Sequence, residues 1–167
     1  MMGLNGRIRV VGALVFGLAS VVAFGQSGAP ARSVPKAAAV EFLFPEQVTV
    51  PAGKTATVAL HFRIAQGMHI NSHAPKEEEL IPTTLSIPEG SGVRLDGAVY
   101  PTGTEFTLPL DPKEKLSVYT GEFTIQARMV AAEGDHLVEA KLRYQACDNN
   151  ACMPPKTITV PIDVLGK

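Results

Sequence analysis

Hydrophobic and polar positions alternate with a period of two over much of the chain, the signature of half-buried β-strands. The clearest run is residues 55–64, where Ala56, Val58, Leu60, Phe62 and Ile64 share one face and Thr55, Thr57, Ala59, His61 and Arg63 the other. Shorter strands are expected over 40–44, 47–50, 80–87 and 93–100, punctuated by Pro45, Pro51, Pro82, Pro88 and the turn at Pro101-Thr102-Gly103. Residues 108–115 read as a loop. Residues 116–131 alternate through Val118, Phe123, Ile125 and Ala127, with Gly121 as a bulge or bend. Residues 137–144 and 157–165 are the last two strands, and Pro161 favours an edge position for the latter. The pattern predicts about seven to nine short strands and no helix of three turns, hence an all-β fold of two packed antiparallel sheets.

Between those last two strands lies residues 144–155, YQACDNNACMPP, which holds the two cysteines of the chain, Cys147 and Cys152. The polar Asp148-Asn149-Asn150 between them and Pro154-Pro155 after them read as the tip of a β-hairpin. A bridge there closes a loop of about six residues, for which chain entropy gives roughly 2 kcal/mol, at the low end for disulfides. A domain with 46% apolar residues has little need of it. Vicinal thiols on an exposed tip can alternate between dithiol and disulfide, provided one is open to attack and the other close enough to resolve the mixed disulfide. The CxxxxC spacing is not that of a thioredoxin motif, so redox centre and local structural bridge both stay open at this point. A copper site is a third reading, drawing on Met68, Met153 and the histidines His61, His69, His73 and His136. Nothing in the sequence brings the histidines to the cysteines, and no metal is expected.

The chain's beginning changes the setting. Arg7 and Arg9 precede an uncharged, mostly apolar run over residues 10–24, followed by small residues at Ala23-Phe24-Gly25. Residues 1–25 are therefore expected to be a cleavable signal peptide, its apolar run shorter than the roughly 20 residues of a spanning helix. Residues 26–39, rich in Ser, Gly, Pro and Ala, read as a flexible leader, and 40–167 as one domain. An exported chain meets an oxidising compartment in which cysteine pairs form. Removing Arg7 and Arg9 from the 15 basic residues leaves the 16 acidic ones in excess by about three, which argues against nucleic acid as a partner. No second long apolar run follows, so no membrane span is expected after cleavage, and a monomer is expected.

The block Tyr144-Gln145-Ala146-Cys147…Cys152-Met153-Pro154-Pro155 resembles the N-terminal periplasmic domain of the thiol:disulfide interchange protein DsbD. Gly67-Met68-His69-Ile70-Asn71-Ser72, Ile81-Pro82-Thr83 and Tyr100-Pro101 follow that family's order and spacing, over about residues 40–165. The resemblance implies an immunoglobulin-like β-sandwich with the cysteine pair in an active-site hairpin. It implies exchange of reducing equivalents with a membrane thiol reductase as donor and periplasmic thioredoxin-like or disulfide isomerase proteins as acceptors. No cofactor is implied, since the dithiol itself carries two electrons. By position, Cys152 is the outward sulfur that forms the mixed disulfide and Cys147 resolves it. Tyr100 is the expected aromatic cap, His69 and Asn71 match site-lining positions, and Tyr144 and Gln145 are expected to set the hairpin. The chain ends at Lys167 without the family's membrane and thioredoxin-like domains, so the donor is expected to be a separate protein. The alternative is a non-redox β-sandwich binding or assembly module with a structural hairpin disulfide.

Overall fold

The alternation of residues 55–64 becomes a strand of the same limits in the computed structural model, which describes residues 38–43, 47–109 and 112–167. The expected signal peptide and most of the expected leader lie outside the described residues. Ala39, at the leader's end, is buried in the core, and its carbonyl accepts a hydrogen bond from the Ala65 N–H at 3.0 Å.

The described residues hold twelve strands: β1 Val40–Leu43, β2 Val48–Val50, β3 Thr55–Ile64, β4 His69–Asn71, β5 Thr84–Ser86, β6 Val93–Val99, β7 Thr104–Thr107, β8 Lys115–Tyr119, β9 Glu122–Ala131, β10 Gly134–Tyr144, β11 Ala146–Cys147 and β12 Lys156–Gly166. The first sheet has the order β1-β3-β9-β6, the second β2-β12-β10-β5 and the third β11-β4-β8-β7. All pairings are antiparallel except β2 with β12. The first two sheets form an immunoglobulin-like β-sandwich.

Its core is made by the apolar halves of the alternating strands. Val58, Leu60, Phe62 and Ile64 of β3 and Phe123, Ile125, Ala127 and Met129 of β9 join Val138, Ala140, Leu142 and Tyr144 of β10 and Val160, Ile162 and Val164 of β12 in one cluster. Phe62 is fully buried and lies between Phe42 and Phe123, with ring centroids 5.3 and 5.1 Å away. Each such large side chain contributes about 1.5–3 kcal/mol by leaving water.

The single run expected over residues 116–131 is two strands, β8 and β9, that belong to different sheets. Between them, where the chain leaves the third sheet for the first, Gly121 adopts φ 61°, a left-handed conformation that glycine takes without the backbone strain other residues would carry. The expected strand over 80–87 shrinks to β5, and β7 appears where no strand is expected, because its short, mostly polar sequence carries no alternation of its own. Pro161 faces Glu139 of β10, and β2 pairs with β12 only from Val164 onward, so the proline's missing N–H falls on an unpaired edge.

The third sheet sits at one end and positions the cysteines. Ile70, Tyr119 and Ala146 share a row and join the main core. The opposite face carries His69, Asn71, Leu116, Val118 and Cys147, all buried yet outside that core.

Candidate functional site

β10 and β12 pair residue for residue from Gly134↔Gly166 to Tyr144↔Lys156, forming the base of the expected hairpin. Beyond Tyr144 the chain departs from the second sheet, and Ala146–Cys147 pairs instead with β4, placing Ala146 opposite Ile70 and Cys147 opposite His69. The tip then turns back on itself. The Asp148 N–H donates to the Ala151 carbonyl at 3.0 Å and the Met153 N–H to the Ala146 carbonyl at 2.8 Å. Asp148 Oδ1 accepts from the N–H groups of Asn150 and Ala151 at 2.7 and 2.9 Å, which fixes the turn locally. Cys147 and Cys152 thus face each other across a narrow antiparallel pair, with Cα atoms 3.9 Å apart, and are joined by a disulfide. The turn's hydrogen bonds hold the two strands together besides the disulfide.

The two sulfurs occupy different environments. Cys147 is 1% exposed, whereas Cys152 is exposed. On chemical grounds the Cys152 side of the bond is open to a thiolate from solvent, and the Cys147 side is shielded.

Asn71 and Gln145 hold this arrangement. Asn71 Nδ2 donates to Gln145 Oε1 at 3.2 Å and to the Ile81 carbonyl at 3.1 Å, while Gln145 Nε2 donates to the Met153 carbonyl at 3.2 Å. The residue after Cys152 is therefore tied through Gln145 to β4. Tyr144, 1% exposed, belongs to the sandwich core, and its hydroxyl is bound to the backbone of Val40; burial raises its pKa.

His69 is 2% exposed, and its buried Nε2 has no hydrogen-bond partner. Burial lowers the pKa of the imidazole from 6.5, against the attraction of the Asp148 carboxylate. The ring of Phe106 lies on it with centroids 4.3 Å apart. Phe106, His69, Met68 and Asn149 of the hairpin tip line one cleft of about 570 Å³, with Arg63 and Glu122 among its other walls.

Tyr100, the expected cap, stacks its ring on His73 with centroids 3.7 Å apart, and its hydroxyl accepts from the Leu85 N–H at 2.8 Å. The aromatic side chain that reaches the strand partner of Cys147 is Phe106. Sequence reasoning placed Phe106 in no element; the available signal was a lone large apolar residue among the polar residues of 102–107. The other histidines are spread out: His61 bonds Thr124 Oγ1, His73 the Thr83 carbonyl and His136 the Ala132 carbonyl. Among the described residues no three His, Cys, Asp or Glu side chains group as metal ligands, and no helix is long and apolar enough to cross a membrane.

A solved structure, the crystal structure of the Neisseria meningitidis DsbD N-terminal domain in the reduced form, is similar at 20% identity and a TM-score of 0.46, covering 69% of this chain and 82% of that one. A search of the curated proteins finds no match. The profile described as thiol:disulfide interchange protein DsbD, N-terminal, matches residues 39–163, a span that takes in the strands of the sandwich except the end of β12, together with the cysteine hairpin and Phe106. The chain belongs to the DsbD N-terminal domain family.

Proposed function

We propose that the protein is an exported thiol–disulfide exchange module that relays reducing equivalents through the Cys147/Cys152 pair. Its electrons come from a membrane thiol reductase and go to periplasmic thioredoxin-like or disulfide isomerase proteins. The observation that carries this reading is the unequal burial of the two sulfurs within one preformed hairpin. In the reductive half, a donor thiolate attacks Cys152 and Cys147 leaves; a second donor thiol then releases the reduced pair. In the onward half, the Cys152 thiolate attacks a partner disulfide and Cys147 resolves the mixed disulfide. Family membership and the export signal expected from residues 1–25 support the periplasm as the setting. Phe106, lying over His69 beside the pair, is the side chain best placed to cover the site and move aside for a partner.

Partner trapping tests the assignment. Cys147→Ser leaves Cys152 without its resolving thiol, and this variant is expected to accumulate mixed disulfides with exported thioredoxin-like proteins, seen on non-reducing gels. Cys152→Ser is expected to accumulate none. Equal trapping by both variants would refute the division of roles, and trapping by neither would refute exchange. The disulfide midpoint is expected above the roughly −300 mV typical of structural disulfides.

A further inference from the structure

The exchange cycle described above requires a proton to leave Cys147 each time it resolves a mixed disulfide, and to return each time it is displaced. Cys147 is 1% exposed, so water has little access to it. A candidate to exchange that proton is set by strand register. Cys152, Cys147 and His69 stand in one row, since Cys147 pairs with Cys152 on one side and with His69 on the other. The Asn71 N–H donates to the Gln145 carbonyl, which marks that pair as hydrogen-bonded; two residues along, Cys147 and His69 form the next pair of the same kind. Directly paired residues project to the same face, with Cβ atoms roughly 5 Å apart. The Nε2 of this imidazole is buried and unpartnered, as is Asn71 Oδ1, whereas the other buried side-chain nitrogens and oxygens among the described residues are bonded. Phe106 covers the ring and limits exchange of that proton with solvent.

We infer that His69 is the proton acceptor for the Cys147 thiol in the resolving step, an inference that rests on the exchange function proposed above. Starting from Cys152 in a mixed disulfide with a partner, the Cys147 proton passes to His69 Nε2. The Cys147 thiolate attacks Cys152 Sγ, and the Cys147–Cys152 bond forms as the bond from Cys152 to the partner breaks. The partner sulfur leaves with the electron pair as a thiolate and takes a proton from the imidazolium or from water. The partner disulfide gains two electrons and the Cys147/Cys152 dithiol loses two. In reverse, imidazolium protonates Cys147 as it is displaced.

The surroundings suit a neutral imidazole. Its pKa is lowered by burial, so that above about pH 6.5 its lone pair is available. The charge of Asp148, on the hairpin, acts on it and would stabilise the imidazolium once formed. Arg63 and Glu122, on the cleft wall, pair with each other at 2.9 Å, and Glu105, beside Phe106, is paired with Lys76 and Lys115. On β8, Tyr119 has its hydroxyl bound to the Pro101 carbonyl and the His73 N–H.

The test is the reaction of the fully reduced protein with 5,5′-dithiobis(2-nitrobenzoate), followed by stopped-flow absorbance. The first released thionitrobenzoate reports attack by Cys152 and the second reports resolution by Cys147. In the unmutated protein the second phase is expected to be nearly level above pH 6.5 and to fall below it. In His69→Gln the second phase is expected to slow by about 10²-fold at pH 7, in line with general-base contributions, and to rise about tenfold per pH unit, while the first phase is unchanged. A second phase with the same rate and pH profile in both proteins overturns the inference and leaves the exchange function standing. Absence of a first phase overturns the exchange function and this inference with it. Should His69→Gln fail to fold, the unmutated protein decides: the bend in its second phase must coincide with the His69 titration seen by NMR, and a bend elsewhere overturns the inference.

Discussion

The interface between the first two sheets and the outer face of the third are both buried, but they are composed differently. The sandwich interface is filled by Val, Leu, Ile, Phe, Ala and Met from four long strands, with Tyr144 bonded through its hydroxyl. The outer face, built on strands of two to five residues, encloses Cys147, His69 and Asn71 beside Leu116 and Val118, and leaves His69 Nε2 and Asn71 Oδ1 unpartnered. An orphaned buried polar atom costs about 1–3 kcal/mol. The long strands supply stability from which the short ones can hold reactive groups in an otherwise unfavourable place.

Cutting into each region should break the comparison in opposite ways. Phe62→Ala removes a fully buried ring packed between Phe42 and Phe123 and is expected to cost about 3–5 kcal/mol in denaturant unfolding. In the fraction that remains folded, the disulfide midpoint should be unchanged; a shifted midpoint would show that the two regions are coupled. Asn71→Ala strips partners from Gln145 Oε1 and the Ile81 carbonyl, and about 1–3 kcal/mol of destabilisation is expected. Here the exchange rate should change as well, because Gln145 connects Asn71 to Met153 beside Cys152. Replacing both cysteines by serine should abolish exchange while costing at most about 2 kcal/mol. A much larger loss would return the bridge to a structural role.

Two smaller effects sharpen the outer face. Phe106→Ala is expected to speed reduction of the disulfide by dithiothreitol several-fold through improved access, whereas Tyr100→Ala is expected to leave that rate unchanged. The reverse ranking would identify Tyr100 as the cap. The pH dependence of stability carries the His69 contribution. Its folded pKa lies below the 6.5 of the unfolded chain, so the unfolded state binds the proton first. Stability is therefore complete above pH 6.5 and is lost as pH falls from there through the folded value. His69→Phe should lack this component, visible as the difference between the two proteins' stability curves.

Much of the frame was legible in local sequence. The alternation of residues 55–64 predicted β3 to the residue, and the runs flanking the cysteines predicted the β10–β12 hairpin within a few residues. Residues 116–131 misled because both strands alternate; the phase shifts across Gly121, from Leu116 and Val118 to Phe123, Ile125 and Ala127, but a phase shift alone carries no mark of which sheet a strand joins. β7 was invisible because its place in a sheet comes from pairing with β8 rather than from an apolar face.

The sequence by itself determined the all-β class, the cysteine hairpin and the family resemblance, since each rests on spacing within a short stretch of chain. Only the tertiary structure decided that Cys147 is buried and Cys152 exposed, that His69 is the strand partner of Cys147, and that the ring of Phe106 lies on His69. Those facts depend on register between β4, β7, β8 and β11, segments that are tens of residues apart. A shift of one residue in any pairing would turn the side chains to the other face, so no local pattern could encode them.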